Sequence, residues 1–208
     1  MRPRRRADDG PVKTLIGAAA ALILGFLQPG AAAADSSGPA GWWGGLHAVD
    51  LHGAPLNPAA RWYVVVFLGQ DCPVSNASIP VLNALSAEFS PRGFAFVGAY
   101  VDPTAPLADL RAHARDFAIA FATADDREHR LAKAAGASYT PQAAVFSGSG
   151  AVLYLGRIDD RVVGSGTERP AATHQDLREV LSAIAEGSPG PFKGAAGFGC
   201  EIPEAVRP

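Results

Sequence analysis

The feature that most constrains this chain is an apolar segment that leads, through a short turn, to a cysteine. Residues Trp62–Leu68 are apolar and mostly β-branched or aromatic, which predicts a buried strand near the centre of a sheet. Gly69–Asp71 then turn the chain, and Cys72 follows at the start of a predicted helix. Pro73 favours that start, because a residue in the first helical turn has no intrahelical use for its N–H.

Cys72 has two interpretations at this position. A thiol at a helix N-terminus lies at the positive end of the helix macrodipole, which favours the thiolate and makes the sulfur a nucleophile. The neighbouring carboxylate of Asp71 opposes that effect. The alternative is a buried and unreactive cysteine, since free cysteine is among the most buried residue types. The local pattern favours the nucleophile.

Residues 1–34 predict a cleaved secretory signal peptide. Basic residues open the chain, an apolar run extends from Leu15 to Leu27, and Ala32–Ala34 provides a small-residue cleavage site. The apolar run is shorter than the ~20 residues that span a bilayer, and an uncleaved membrane anchor is the alternative. We therefore expect a periplasmic or secreted protein with no stable membrane insertion after cleavage.

Removal of this leader makes the protein mildly acidic. The full chain has 208 residues with 18 basic and 20 acidic side chains, and the mature part keeps 13 and 18 of them, a formal net charge of −5. An acidic body without a basic cluster argues against nucleic acid as a partner. The remaining length suits one domain. We expect a signal peptide (1–34), a linker (35–45), a folded domain (46–186) and a Gly/Pro-rich tail (187–208).

The mature chain holds two cysteines, Cys72 and Cys200. An even number of cysteines in an oxidising compartment favours a disulfide, and two cysteines allow one intramolecular pairing. Cys200 lies in the Gly/Pro-rich tail, for which the composition predicts no regular structure. The sequence leaves open whether such a bond is structural or cycles during turnover.

The order of the predicted elements indicates an α/β fold. Strands that alternate with helices predict a mainly parallel central sheet, to which a late hairpin adds an antiparallel edge. The predicted elements after Cys72 are a helix to about residue 89, a strand over 94–101, a helix that opens at 102–104, a short strand over 119–122, a helix over 125–135, a strand over 143–146, its hairpin partner over 151–155, and a helix over 177–184 capped by Thr173.

Three motifs in this order resemble the thioredoxin fold, and in particular exported redoxin and peroxiredoxin-like proteins (the alkyl hydroperoxide reductase and thiol-specific antioxidant type). The segment Cys72–Ser75, Cys-Pro-Val-Ser, stands where thioredoxins carry Cys-x-x-Cys. Pro80 matches their helix-kinking proline, and Thr140-Pro141 matches their Thr-Pro motif with a cis proline. The resemblance covers residues 46–186 and implies a thioredoxin-like fold with a central mixed sheet flanked by helices.

The chain departs from both parent families at the site. Ser75 replaces the second active-site cysteine of thioredoxins, and Asp71 stands where they usually carry tryptophan. Peroxiredoxins carry Thr or Ser three residues before their reactive cysteine, where this chain has Gly69. The arginine that polarises peroxide in that family has no clear match, because Thr140-Pro141 occupies the region. The signature is therefore incomplete for either chemistry.

The resemblance implies an exported thiol-disulfide oxidoreductase or a peroxiredoxin-like antioxidant protein that uses no cofactor. Cys72 would attack a protein disulfide or a peroxide, Cys200 would resolve the intermediate, and an external thiol would reduce the enzyme. Thr140 and Pro141 would face Cys72, and their backbone would hold a substrate segment in extended pairing. Ser75 would either hydrogen-bond the thiolate or be an ordinary residue of the first helical turn.

Two other classes of function stay open. In the first, a permanent Cys72–Cys200 disulfide would pin the tail of a non-catalytic binding module. In the second, the protein would handle copper or haem through Cys72 and a histidine, although His113 and His129 are expected on solvated helix faces. The charged cluster Arg157–Arg161 is expected to be a solvated edge, and its alternative role is an arginine that offsets Asp71 near Cys72.

Overall fold

The structure, a computed structural model, describes residues 42–165 and 167–205. The predicted signal peptide (1–34) and most of the predicted linker lie outside the described residues. The helices are α1 (Trp42–Gly45), α2 (Pro73–Phe89), α3 (Leu107–Asp116), α4 (Arg130–Ala135) and α5 (Asp176–Ala185). The strands are β1 (Val49–Asp50), β2 (Trp62–Leu68), β3 (Phe94–Tyr100), β4 (Ala122–Asp125), β5 (Tyr139–Thr140), β6 (Gln142–Ser147), β7 (Val152–Gly156), β8 (Val162–Gly164), β9 (Thr167–Glu168) and β10 (Cys200–Glu201).

A mixed sheet forms the centre of the described part, as the sequence predicts. Its six strands follow the order β1-β4-β3-β2-β6-β7. β2 pairs parallel with β3, which pairs parallel with β4, and β6 pairs antiparallel with both β2 and β7. The predicted buried strand is therefore an interior strand, with a neighbour on each side that satisfies its backbone hydrogen-bonding groups.

Both faces of β2 are buried, because successive side chains of a strand point to opposite faces of the sheet. Val64, Val66 and Leu68 join one apolar cluster, which includes residues of α2 and α5. Tyr63 and its alternating neighbours join a second cluster, which includes residues of α1 and α4. Helices on both faces explain why the segment is apolar throughout rather than alternating in polarity.

The corner between β2 and α2 places the first cysteine. β2 ends at Leu68, and Cys72 is the N-cap residue of α2 with extended backbone angles (φ −86°, ψ 110°). Pro73 occupies the first helical position, and Pro80 lies inside the helix as the sequence predicts. The carboxyl ends of β2 and β3 meet at this edge, which is the usual position for a site in an open α/β sheet.

Residues 192–202 of the predicted tail lie along the domain. Phe192 N–H donates to Leu153 O at 2.7 Å, and Arg157 N–H donates to Ala195 O at 3.0 Å. Further along, β10 pairs antiparallel with β5. The composition predicts no regular structure here, and over the described tail residues, 187–205, the two residues of β10 are the only regular element, yet the tail has a defined course over the edge of β7.

Three predicted features differ from the structure. The short strand expected over 119–122 is β4 at 122–125, because Ile119 N–H bonds to Ala114 O and Ala120 N–H bonds to Asn83 Oδ1. Thr173 does not cap α5, whose N-cap is Gln175, because the Thr173 hydroxyl donates to Asp160.

The third difference concerns the predicted linker over 35–45. Its last residues form α1, and Trp43 there is 1 % exposed and stacks on Tyr63 with ring centroids 4.8 Å apart. Burial of aromatic surface of this size fixes the segment on the sheet.

Candidate functional site

Cys72 and Cys200 form a disulfide across 128 residues of sequence, with their Cα atoms 6.0 Å apart. Cys72 is 3 % exposed with this bond in place, and Cys200 is half-buried. The pairing that the cysteine count permits is therefore the one observed. It joins the N-cap of α2 to the strand at the end of the tail.

Short-range hydrogen bonds hold the turn that carries Cys72. Cys72 N–H donates to Gly69 O at 3.1 Å, and Gly69 N–H donates to Ser75 Oγ at 3.4 Å. Asn76 Nδ2 donates to Gln70 O at 3.0 Å, and Asn76 N–H makes the first helical bond to Cys72 O at 3.1 Å. Hydrogen bonds among residues 69–76 thus hold the backbone that carries this sulfur.

Thr140, the residue before the cis proline, lies against Cys72. The Thr140-Pro141 peptide bond is cis, and Thr140 O lies 3.3 Å from Cys72 Sγ. A reduced Cys72 thiol would have this carbonyl as its acceptor. The backbone that is expected to receive a substrate is occupied by the tail, since Thr140 stands opposite Cys200 in the β5–β10 pairing.

Ser75 is fully buried in the first turn of α2. The hydrogen bond recorded for its Oγ is the one accepted from Gly69 N–H, so its contact is with the turn rather than with the sulfur. This geometry agrees with the second of the two roles considered for it, a residue that fixes the helix start.

A side-chain relay connects this turn to α3 and β3. Asn76 Nδ2 donates to Gln70 O, so Asn76 Oδ1 is the atom that faces His113 Nε2 at 2.8 Å. His113 must therefore donate from Nε2, and its Nδ1 accepts from the Tyr100 hydroxyl at 2.7 Å. His113 is not on a solvated face as expected, because α3 packs this ring against α2 and β3.

The surroundings of the relay keep its groups neutral. Burial lowers the pKa of His113, and the carboxylates of Asp71 and Asp116 act in the opposite direction. Burial raises the pKa of Tyr100 far above its ordinary value, so the hydroxyl remains a donor. A neutral His113 with one donor and one acceptor fits both of its neighbours.

The charged cluster at 157–161 is not a solvated edge, so that expectation is wrong. Arg157 Nε donates to Asp176 Oδ2 at 2.8 Å, and Arg161 donates to Ala77 O at 2.9 Å. Arg157 thus contacts the first residue of α5 and Arg161 contacts a carbonyl in the second turn of α2, and these bonds do not involve Cys72. The residues sit between the hairpin and α5, where segments distant in sequence supply their partners.

Asp160 is the buried centre of this cluster, with 2 % of its surface exposed. Burial alone would raise its pKa, but hydrogen bonds from the Thr173 hydroxyl and from the Thr173 and His174 N–H groups, together with Arg169, hold the pKa well below its usual range. The carboxylate thus organises the loop before α5, which is a structural role.

A small cleft lies between the start of α2 and the tail. A cleft of about 20 Å³ is bounded by the first turns of α2, by Pro141, by Arg157–Asp159 and by Phe198 of the tail. This volume is about that of one ordered water. The cleft therefore has no room for a molecule larger than water.

The histidines do not gather around Cys72 in the described part of the chain. His129 is 6 % exposed, with Nε2 2.6 Å from Val101 O, so the expectation of a solvated face is wrong for it as well. Over residues 42–165 and 167–205, no three His, Cys, Asp or Glu side chains cluster as metal ligands would.

Comparison with known proteins identifies the family. Residues 33–155 match the AhpC/TSA family, which is more than half of the chain. The chain belongs to the AhpC/TSA family. This membership confirms the resemblance drawn from the Cys72, Pro80 and Thr140-Pro141 motifs. No curated protein matches the chain.

Solved structures similar to this AhpC/TSA member confirm the thioredoxin-like fold. A hypothetical protein of Sinorhizobium meliloti is 23 % identical with a TM-score of 0.64, and the match covers 74 % of this chain and 88 % of that one. An uncharacterized conserved protein from Geobacillus kaustophilus is 23 % identical with a TM-score of 0.62, covering 75 % and 86 %. DsbF of Mycobacterium tuberculosis is 17 % identical with a TM-score of 0.50, covering 66 % and 93 %.

Sequence reasoning missed two parts of this site. The relay through Asn76 and His113 joins residues that are 37 positions apart, and neither stands in a recognisable motif. The glycine content of the tail predicts irregular structure, whereas the spacing of its glycines at 194, 197 and 199, just before Cys200, indicates a backbone in close contact with another segment. Among the described residues, no helix has the length and apolar character needed to cross a membrane.

Proposed function

We propose that this protein is an exported thiol oxidoreductase in which Cys72 is the redox nucleophile and Cys200 the resolving thiol. The observation that carries the proposal is the bond from the N-cap of α2 to a strand that lies on the residue before the cis proline. A helix N-terminus stabilises the thiolate. Membership of the AhpC/TSA family supports thiol chemistry at this position.

The proposed reaction is thiol–disulfide exchange with a protein disulfide. The Cys72 thiolate attacks one sulfur of the substrate, forms a mixed disulfide and releases the other sulfur as a thiolate, which takes up a proton. The Cys200 thiolate then attacks Cys72 Sγ, so that the Cys72–Cys200 disulfide forms and the second substrate thiol leaves. The substrate gains two electrons. An external thiol reductant then supplies two electrons that convert the Cys72–Cys200 disulfide back to two thiols.

Three neighbouring residues complete the proposed site. Thr140 O lies 3.3 Å from Cys72 Sγ, and the backbone of Thr140 and Pro141 would receive an extended substrate segment once the tail has left. Ser75 acts through the turn, because its Oγ accepts from Gly69 N–H. The proposed site consists of side chains and backbone and uses no bound cofactor.

The decisive experiment uses Cys200→Ser in cells that export the protein. Without a resolving thiol, the mixed disulfide at Cys72 should persist, and non-reducing electrophoresis after acid quenching should show covalent partners that vanish with dithiothreitol. Cys72→Ser is the matched control and should trap none. A Cys200→Ser protein whose Cys72 stays a free thiol in cells would contradict the proposal.

A peroxide substrate is tested in the same proteins. If Cys72 attacks peroxide, the purified reduced protein should consume hydrogen peroxide, and mass spectrometry of Cys200→Ser should detect Cys72 sulfenic acid. Gly69 in place of Thr or Ser disfavours this outcome, and exchange with protein disulfides is the reaction we propose.

One observation favours a second candidate, a structural disulfide in a binding module. Cys72 is 3 % exposed in the bonded form, which is typical of an inert bridge. Closure of a loop this long stabilises the folded state by about 4–5 kcal/mol in the chain-entropy model. The exchange proposal predicts that mild thiols reduce the bond in the native protein, whereas a staple would require unfolding first.

A further inference from the structure

The tail meets the domain through two stretches of different character. Residues 192–197 lie on β7 and on the segment that follows it, with Phe192 packed against the main apolar cluster. Residues 198–202 hold Cys200 and pair with β5. Ile202 N–H ends this second stretch with a bond to Ser138 O at 3.0 Å.

The first stretch is seated independently of the disulfide. Phe192 N–H donates to Leu153 O at 2.7 Å, Arg157 N–H donates to Ala195 O at 3.0 Å, and Gly197 N–H donates to the Tyr139 hydroxyl at 2.9 Å. The first bond is made at the free edge of β7, the second at the residue that follows this strand, and the third at the side chain of Tyr139 in β5. Nothing in them involves either cysteine.

Glycine is required where residues 192–197 contact the domain. A Cβ at Gly194 would overlap the carbonyl oxygen of Leu155, which is backbone and cannot turn aside. A Cβ at Gly197 would lie 2.8 Å from Arg157 Cβ, an atom whose position follows the backbone, and 3.1 Å from the Tyr139 hydroxyl oxygen; this overlap is smaller than the one at Gly194. At two positions, Gly194 and Gly197, the tail backbone thus lies so close to the domain that a residue without a side chain is needed.

We infer that residues 192–197 are an anchor that stays docked in both redox states, and that residues 198–205 are a releasable segment that undocks when the disulfide is reduced. The inference rests on the proposed function and adds to it a pair of positioning residues, Gly194 and Gly197. With the anchor in place, Cys200 is tethered three residues beyond Gly197, a reach of about 10 Å. The release frees Thr140 for a substrate while Cys200 remains close to Cys72.

The anchor thus keeps Cys200 close to Cys72, although the two cysteines are 128 residues apart in the sequence. If residues 192–197 came away, the tether would begin at the end of α5 and run over 15 residues, from 186 to 200. Effective concentration falls roughly as the −3/2 power of tether length, so a fivefold longer tether lowers it about tenfold. The resolving step should slow by the same factor.

Hydrogen exchange of the unmodified protein tests the anchor without any variant. In the oxidised protein, the N–H groups of Phe192, Gly197 and Ile202 should all be protected. After reduction, Phe192 and Gly197 should stay protected while Ile202 exchanges at least tenfold faster. Loss of protection at Phe192 together with Ile202, or no loss at either, would overturn the inference.

Kinetics with oxidised glutathione test the positioning role. Reduced protein is mixed with oxidised glutathione, quenched with acid and analysed by mass spectrometry for the glutathione adduct of Cys72. Gly194→Ala should form the adduct at the normal rate but resolve it about tenfold more slowly, and Gly197→Ala should show a smaller slowing. Gly45→Ala is the matched control, because a Cβ there meets nothing within 4 Å.

The outcomes separate the anchor from the proposed function. Equal resolution rates in Gly194→Ala and Gly45→Ala would overturn the anchor and leave the function standing. Absence of any adduct in Cys200→Ser would overturn the function, whatever the exchange pattern of the tail. If Gly194→Ala fails to fold, Gly197→Ala and the exchange experiment still decide the matter.

Discussion

The two sulfurs of the disulfide are positioned in different ways. Cys72 is held by hydrogen bonds among residues 69–76, which close the corner between a buried strand and a helix. Cys200 is held by backbone bonds to segments about 40 to 60 residues earlier in the chain, and by glycines that let the tail approach another backbone. The first arrangement is local and uses no contact with the tail, whereas the second includes the disulfide itself.

This difference assigns different roles to the two cysteines. A nucleophile needs a fixed geometry in every step, and the corner at Cys72 supplies it. A resolving thiol must leave and return, and a short tether does this at low entropic cost. Changes at Cys72 should therefore affect the chemistry itself, and changes at the tail should affect only the closing of the bond.

The largest effect is expected from Cys72→Ser compared with Cys200→Ser. Both variants lose the same disulfide and hence a similar stabilisation, about 4–5 kcal/mol in the chain-entropy model. Cys72→Ser should lose reaction with oxidised glutathione down to the background rate, and Cys200→Ser should retain adduct formation, both followed by mass spectrometry. Adducts at Cys200 in Cys72→Ser at the rate seen for Cys72 would remove the distinction between the two sulfurs.

Gly199→Ala should disfavour the oxidised state. A Cβ at this position would overlap the carbonyl oxygen of Thr140, so β10 cannot dock as it does. We expect the equilibrium constant for forming the Cys72–Cys200 disulfide against glutathione to fall about a hundredfold, roughly 3 kcal/mol. Gly45→Ala should leave that constant unchanged, and an equally unchanged constant in Gly199→Ala would contradict the docking of the tail at Thr140.

The helix that leads into β5 begins at a buried carboxyl group, Asp126, whose protonation makes the stability of the protein depend on pH. Asp126 is 3 % exposed and accepts hydrogen bonds from the N–H groups of Leu131 and Ala132 at the start of α4, which leads into β5. Burial raises the pKa of Asp126 to about 6, above the ordinary value of 3.8, so the folded state binds the proton more tightly than the unfolded state. Its contribution to stability is therefore greatest below pH 4 and is lost as the pH rises to about 6.

Urea unfolding between pH 4 and pH 7 measures this effect. The free energy of unfolding of the native protein should fall relative to that of Asp126→Asn by roughly 2–3 kcal/mol across this range. Asp126→Asn is the reference because its side chain does not titrate. A difference between the two proteins that stays constant with pH would contradict the raised pKa of Asp126.

The smallest effect is expected from a change in the turn that carries Cys72. Asn76→Ala removes the bond to Gln70 O and the bond from His113, and should loosen the turn that presents Cys72. In the Cys200→Ser background, we expect the alkylation rate of Cys72 by iodoacetamide to change three- to tenfold, with a shifted pH profile, because the orientation of the thiol towards the helix N-terminus is altered.

Asn83→Ala is a matched control for that variant. Asn83 also lies on α2 and bridges to another segment through two hydrogen bonds, with Ala118 O and Ala120 N–H. Both variants should lose about 1–3 kcal/mol of stability. Only Asn76→Ala should change the alkylation of Cys72, and equal alkylation in the two variants would show that the relay plays no part in positioning the sulfur.

The comparison also explains how much the sequence could predict. Trp62–Leu68, the turn and Cys72-Pro73 are contiguous, so the apolar pattern and the proline place the nucleophile without knowledge of the rest. The Cys72–Cys200 pairing followed from the cysteine count, and the cis Thr140-Pro141 bond from a family motif.

What the sequence could not predict depends on partners that are distant along the chain. Arg157 meets Asp176 across the loop before α5, and Asp160 is buried by a loop whose N–H groups satisfy it, so neither is the solvated charge that composition indicates. The spacing of the tail glycines indicates close contact with another backbone, but the segments that they contact, at Leu155 and Thr140, lie about 40 to 60 residues earlier in the sequence. Composition predicts a segment without helix or strand, but such a segment can still be bound to the domain through its backbone hydrogen bonds.

The reduction potential of the Cys72–Cys200 pair distinguishes a disulfide that cycles during turnover from a structural one. The native protein is equilibrated with glutathione or dithiothreitol buffers of known potential, and the oxidised fraction is measured by alkylation and mass spectrometry. A working pair should titrate between about −120 and −270 mV, the range of thiol oxidoreductases. A potential below about −300 mV, with reduction only on unfolding, would mark the bond as a permanent staple and contradict the account.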